Sequence, residues 1–252
     1  MYFSRLAVSV ALVVSTVGMA AAWESTAMNR QIDQTNFLVN DNCSATLIDA
    51  KRGYLLTAAH CIQAQFTVVE REKIVDDKVT TEKVRVARPG TVSQIYFKDA
   101  NETHRNVYLF KIKLSDADLD LALIQVQSKL SNTEQAALSC VEPQRGDTVF
   151  AVGNSAAILY ASVSKGIVAS INRNYRMIGI DGGGADFGLI HSTTAIGGGN
   201  SGGSLYNDKG EIVGVVVRGY QSVSPLGLSV PLRDIKKFLT REGLNTLWDH
   251  CS

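Results

Sequence analysis

Short apolar runs recur along most of the chain, separated by Gly, Asn, Asp or charged residues. Cys43–Ile48, Tyr54–Ala58, Gln65–Glu70, Lys83–Ala87, Val92–Phe97, Leu121–Val126, Thr148–Val152, Gly166–Ile171, Leu189–Ser192, Glu211–Val217 and Gly227–Val230 are rich in Val, Ile, Thr, Phe and Tyr. Such residues fit a pleated, partly buried surface, so each run predicts a strand. Many short strands without regularly alternating helices predict an antiparallel barrel or sandwich. Helical periodicity is convincing once, near the C-terminus. Ile235, Phe238 and Leu239 recur at helical spacing, and Pro231 suits a first turn. Asn29–Phe37 fits a short helix or a loop. Residues 128–146 are polar, contain Pro143 and Gly146, and divide two strand-rich halves, 23–135 and 136–252.

Residues 1–22 have the layout of a secretory leader. Arg5 supplies a positive start, Leu6 to Gly18 is uncharged and mostly apolar, and Ala20, Ala21 and Ala22 offer a cleavage site before Trp23. The run is short against the roughly 20 apolar residues of a membrane-spanning helix. The expectation is a secreted or periplasmic protein with no stable membrane association after cleavage.

Composition narrows this picture. The 252 residues are 45% hydrophobic and 19% charged, a globular balance that excludes wholesale disorder. Basic and acidic residues number 25 and 24, and losing Arg5 with the leader makes them equal. No basic stripe invites nucleic acid. The charges near residues 71–88 alternate in sign and read as a solvated strand face. Cys43, Cys61, Cys140 and Cys251 form an even set behind a leader, which predicts two disulfides with three possible pairings. No paired-Cys or paired-His spacing supports a metal, and no cofactor is expected.

Three segments carry candidate chemistry. Gly197 to Gly203 (GGGNSGG) is a run of small residues around Ser201. It can turn tightly, expose a hydroxyl and aim successive N–H groups at one point, as acyl transfer needs. A plain glycine loop or a phosphate nest would read the same. In Thr57 to Cys61 (TAAHC), Ala58 and Ala59 leave space around the His60 imidazole. A Cys43–Cys61 bridge would pin that turn. Asp120 abuts the apolar run Leu121–Ile124, where an unpaired charge is costly and a histidine N–H is a suitable partner. Asp118 is the lesser candidate. A calcium loop starting at Asp116 is rejected, because Leu121 and Gln127 stand where Gly and Glu are needed.

TAAHC, DLAL and GNSGG, in that order, resemble the His, Asp and Ser motifs of chymotrypsin-fold serine peptidases. Asn200 before the serine, the segment Gly210–Val217 (GEIVGVVV) and Ser229-Val230-Pro231 are more similar to the HtrA/Deg branch than to digestive trypsins. The resemblance covers most of residues 40–240. It implies an all-β fold of two antiparallel six-stranded β-barrels with a C-terminal helix, and a site in the cleft between them. It implies a catalytic triad of His60, Asp120 and Ser201, an oxyanion hole from the Gly199 and Ser201 amides, and hydrolysis of protein or peptide substrates through an acyl-enzyme. A catalytically inactive homologue serving as a binding module is the alternative.

Departures from the trypsin pattern shape the remaining expectations. Ala195 stands six residues before Ser201, where trypsins carry an acid, and Ile196 follows it. Cleavage after small or medium apolar residues is therefore expected. Val216, Val217, Arg218 and Gly227 are the candidate far walls; Arg218 would favour acidic side chains. Neutral Asn200 cannot pair with a newly cut N-terminus, so that zymogen switch is not expected. A PDZ module of the HtrA type is not expected after the helix, and Cys140 would pair with Cys251. His191 reads as structural, and Asp181-Gly182-Gly183-Gly184 as a loop near the cleft.

Overall fold

The computed structural model describes residues 25–63, 66–75, 78–87, 90–99, 102–131, 134–172, 188–220 and 226–251. Residues 1–24 and the Asp181–Gly184 stretch lie outside the described residues. The strands close into two six-stranded barrels, as the resemblance implied. In the first, β1 (Asn36–Val39), β2 (Cys43–Asp49), β3 (Tyr54–Thr57), β6 (Gly90–Asp99), β7 (Glu102–Asp116) and β8 (Leu121–Val126) run in the order β1-β2-β3-β8-β7-β6. In the second, β9 (Thr148–Ser155), β10 (Leu159–Asn172), β11 (Leu189–Ser192), β12 (Ser204–Tyr206), β13 (Ile212–Tyr220) and β14 (Leu226–Pro231) run in the order β10-β11-β14-β13-β12-β9. Every pairing within the barrels is antiparallel.

β2 is buried at all seven positions, so it lacks the usual alternation of a half-exposed strand. One face fills its own barrel and the other meets β9 of the second. That second face explains the buried hydroxyls of Ser44 and Thr46. Thr46 accepts a cross-barrel hydrogen bond from Ser204 at 2.8 Å. Closed barrels leave no open edge, and each polar group trapped between them needs a partner.

Between β3 and β6 stands a two-stranded sheet of β4 (Phe66–Val75) and β5 (Lys78–Ala87). Its register sets Glu70 opposite Lys83 and Arg71 opposite Glu82. Residues 70–72 and 79–83 are exposed, so Glu70, Arg71, Glu72, Glu82 and Lys83 face solvent.

Helix α1 (Ser25–Thr35) precedes β1 and buries Ile32 and Thr35. The single turn α2 (His60–Gln63) follows β3. Helix α3 (Leu232–Thr240) starts beyond Pro231 and buries Leu232, Ile235, Phe238 and Leu239. The predicted apolar stripe therefore packs inward, against β13, β14 and β8. A 3-10 segment (Asn245–Cys251) ends the described chain. Cysteines pair as Cys43–Cys61 and Cys140–Cys251.

Candidate active site

β3 and β8 are neighbours, with Thr57 opposite Ala122. The chain leaves β3 through fully buried Ala58 and Ala59 and turns at once into α2, which His60 opens. Asp120 is the last residue before β8 and has a φ of 53°. Asp tolerates this left-handed conformation better than most residues do. Adjacent strand ends thus deliver the acid to the histidine. Asp120 Oδ2 accepts from His60 Nδ1 at 2.7 Å, and Oδ1 accepts from the His60 backbone N–H at 2.9 Å. A carboxylate only accepts, so Nδ1 carries the proton of the neutral ring and Nε2 keeps its lone pair as a base.

The turn before Asp120 is itself anchored. Asp116 Oδ1 accepts from the amides of Asp118 and Leu119 at 3.1 and 3.0 Å, and Arg241 Nη1 reaches Asp116 Oδ2 at 2.5 Å. Burial pushes the Asp116 carboxyl up, but these amides and the guanidinium together hold it below its ordinary value. Asp118 lies in that turn, exposed, and does not meet His60.

Ser201 sits in the loop between β11 and β12. Gly199 and Gly202 have φ of 93° and 83°, where a Cβ is strained. A Cβ on Gly202 would collide with Ser44 O and Thr57 Oγ1 and crowd the Ala58 amide. The loop is therefore pressed onto the turn that carries His60. Ser201 O accepts from the Ser44 N–H at 2.7 Å and lies 3.5 Å from Cys61 Sγ. The Ser201 hydroxyl donates a long bond of 3.4 Å to Val217 O. Among the described residues no hydrogen bond joins it to His60. Catalytic bonds in ligand-free sites are often long or unmade.

Two amides in this loop are uncommitted. The Gly198 carbonyl accepts from the Ala156 N–H at 2.5 Å. In a trans peptide the C=O and N–H point opposite ways, so the Gly199 N–H faces away from Ala156. The Asn200 carbonyl accepts from the Gly203 N–H at 3.0 Å, which orients the Ser201 N–H in the same manner. Neither the Gly199 nor the Ser201 amide has an acceptor among the described residues. Such a pair can stabilise a developing oxyanion.

Beside the loop, Ile196 lies between Gly219 and Gly227. A Cβ on Gly219 would come within 3.0 Å of Ile196 Cγ2, and one on Gly227 within 2.7 Å of Ile196 Cγ1. The same Cβ on Gly227 would meet Thr194 Oγ1 and Ser192 Oγ, hydroxyls that bond each other at 2.6 Å. Ile196 fills the space between these glycines, and neither Ala195 nor Ile196 carries a carboxylate. Val216 and Val217 are buried in β13, while Arg218 is exposed.

His191 lies within β11, opposite Leu228, and burial pushes its imidazole pKa down. Among the described residues two groups bring Cys and His close together, Cys43–His60–Cys61 and Cys140–His250–Cys251. Their sulfurs are disulfide-bonded and offer no thiolate to a metal. Sequence reasoning passed over Ser44, which bonds the serine loop at Gly199 O, and Asn154, which bonds Ser44. The available signal was small hydroxyls at positions 44 and 46, two apart on an otherwise apolar strand.

Known proteins share this architecture. Residues 43–215 match the family model of the trypsin-like peptidase domain. A putative protease Do-like 14 of Arabidopsis thaliana is 30% identical over 200 residues, 78% of this chain and 40% of the relative. The serine endoprotease DegS of Haemophilus influenzae is 30% identical over 185 residues, 73% of this chain and 44% of the relative. The chain thus spans less than half the length of either. The crystal structure of a serine endoprotease from Yersinia pestis superposes with a TM-score of 0.58 at 20% identity, over 85% of this chain and 64% of that one; the likeness is one of fold. With its family model spanning both barrels and its motifs set on their facing loops, this chain belongs to the trypsin-like peptidase family, among relatives of the HtrA/Deg type.

Proposed function

We propose that this chain is an exported serine endopeptidase that cleaves peptide bonds through an acyl-enzyme on Ser201. One observation carries the reading: His60 is held by Asp120 at 2.7 Å while the Ser201 loop is seated on the same turn. In this mechanism Ser201 Oγ rotates from Val217 O towards His60 Nε2 and attacks the scissile carbonyl as His60 takes its proton. Asp120 stabilises the imidazolium. The Gly199 and Ser201 amides hold the oxyanion. His60 then protonates the leaving amine, and water activated by the same imidazole releases the acyl group. Residues 23–135 supply the acid and base, and residues 136–252 supply the nucleophile. Labelling by a serine-directed phosphonate, with Ser201→Ala as control, tests the reading. Folded protein that takes up no Ser201-dependent label would instead be an inert homologue with a binding role.

Ile196 between Gly219 and Gly227 supports cleavage after small or medium apolar residues. Ile196→Ala would empty the space between Gly219 and Gly227. Its kcat/KM for a Phe or Leu substrate relative to a Val substrate is expected to rise about tenfold, the scale of one or two methylenes in an apolar pocket. A peptide library read before and after the change checks this, and an unaltered ranking would remove Ile196 from the pocket.

Export rests on the leader-like residues 1–22. No helix among the described residues is long and apolar enough to cross a membrane. N-terminal sequencing of the protein recovered outside the cytoplasm is expected to begin at Trp23. Recovery with Met1 intact in the membrane fraction would make the segment an anchor.

A further inference from the structure

The Gly199 and Ser201 amides serve an oxyanion only while the peptides around them keep one orientation. A buried polar chain that spans the barrel interface reaches the Gly199–Asn200 peptide, which lies between them. Ser44 Oγ donates to Gly199 O at 2.7 Å and accepts from Asn154 N and Asn154 Nδ2 at 2.8 and 3.1 Å. A hydroxyl has one proton and two acceptor sites. Two N–H donors occupy the acceptor side of Ser44, so its proton is directed at the Gly199 carbonyl.

Backbone groups settle which way the Asn154 amide points. Its Oδ1 accepts from the Ala161 N–H at 3.0 Å, and its Nδ2 donates to Phe37 O at 3.0 Å. Asn36 Nδ2 adds a second donor to Oδ1 at 2.9 Å. Ser44 and Asn154 are 0% and 1% exposed, so solvent does not compete for these bonds. Both peptides flanking Gly199 are then clamped: the preceding one by Ala156 through Gly198 O, the following one by Ser44 through Gly199 O.

We propose that Ser44 and Asn154 are positioning residues that hold the Gly199–Asn200 peptide across the barrel interface, and with it the two donor peptides that it joins, whose N–H groups are those of Gly199 and Ser201. This rests on the peptidase reading, since it assigns a purpose to the oxyanion hole. Neither side chain touches substrate. Their effect falls on the transition state, where charge appears on the carbonyl oxygen, and not on substrate binding.

Ser44→Ala removes the clamp. Asn154→Asp keeps the shape but replaces the Nδ2 donor with a second acceptor, which draws the Ser44 proton away from Gly199 O. Each variant is expected to lower kcat by about ten- to a hundredfold, less than outright removal of an oxyanion donor. KM is expected to stay within about twofold, and affinity for a peptide boronate to fall in parallel with kcat. The double variant should fall no further than the worse single one, because the two act through one bond. Ser204→Ala is the control: it breaks a buried bond across the same interface, to Thr46, without touching Gly199. Its melting temperature should drop while kcat per folded molecule holds.

Unchanged kcat and boronate affinity in Ser44→Ala would overturn the proposal. So would an equal loss of kcat in Ser204→Ala, because any interface damage would then suffice. If the unsubstituted protein neither turns over peptides nor takes the phosphonate label, the peptidase reading has failed, and amide hydrogen exchange of residues 197–203 decides the positioning role separately. Faster exchange in Ser44→Ala supports it, and unchanged exchange overturns it.

Discussion

Ser201→Ala is expected to lower kcat/KM by on the order of 10⁵- to 10⁶-fold, because nucleophile and base act as one unit. The variant should fold normally. The hydroxyl makes only a 3.4 Å bond to Val217 O, and the tight contacts of the loop run through the Ser201 carbonyl and Gly202. A fluorogenic peptide assay and a melting curve together make the measurement. Turnover within about a hundredfold of the unsubstituted protein would mean that another group is the nucleophile. Asp120→Asn sharpens the test. The His60 backbone N–H requires an oxygen at Oδ1, so the new NH₂ must face Nδ1. That donor forces Nδ1 to accept and moves the ring proton to Nε2, leaving no base beside Ser201. A loss of about 10⁴-fold in kcat is expected from the wrong tautomer alone.

Much of this site was legible in the sequence, and the reason is local. A nucleophile on a tight turn needs glycines beside it, a histidine at a strand end needs small neighbours, and a half-buried acid needs a partner. Each requirement writes its residues within a few positions. Strands buried on both faces were equally plain: Leu121–Val126 and Leu189–Ser192 lie where the apolar runs predicted them. The missed strands failed for opposite reasons. β7 carries Arg105, Lys111 and Lys113 at exposed or half-exposed positions, and these dilute its apolar content. β12 has only three residues, too few to display a period. β1 follows α1 without a spacer, so Asn29–Phe37 mixes the end of a helix with the start of a strand.

What the chain order could not reveal is how one barrel grips the other. Ser44 and Asn154 are 110 positions apart, and Ser44 and Gly199 are 155 apart. The hydroxyls at 44 and 46 mark a polar stripe on β2, but nothing in the sequence links that stripe to Asn154 or to the serine loop. Their hydroxyl and amide matter because closure of two barrels leaves a buried interface in which an unpaired polar atom is costly. The resting Ser201 belongs to the same class. Its bond to Val217 O is a matter of rotamer, which sequence motifs do not encode.

The interface also sets the largest expected effect on stability. Gly202→Ala is expected to cost about 3 kcal/mol or more, from two separable sources. One is the φ of 83°, which strains any residue with a Cβ. The other is the collision of that Cβ with Ser44 O and Thr57 Oγ1 on the facing barrel. Gly146 supplies the comparison, for its φ is 92° and a Cβ there meets nothing within 4 Å. Gly146→Ala should therefore cost only the strain, about 1–2 kcal/mol. Urea unfolding of both variants measures the difference, which belongs to the contact between barrels. Equal losses would mean that the loop gives way without cost and that Gly202 is not wedged against the first barrel. If the wedge is real, relief comes only by lifting Ser201 away from His60, so whatever Gly202→Ala protein remains folded is expected to turn over little substrate.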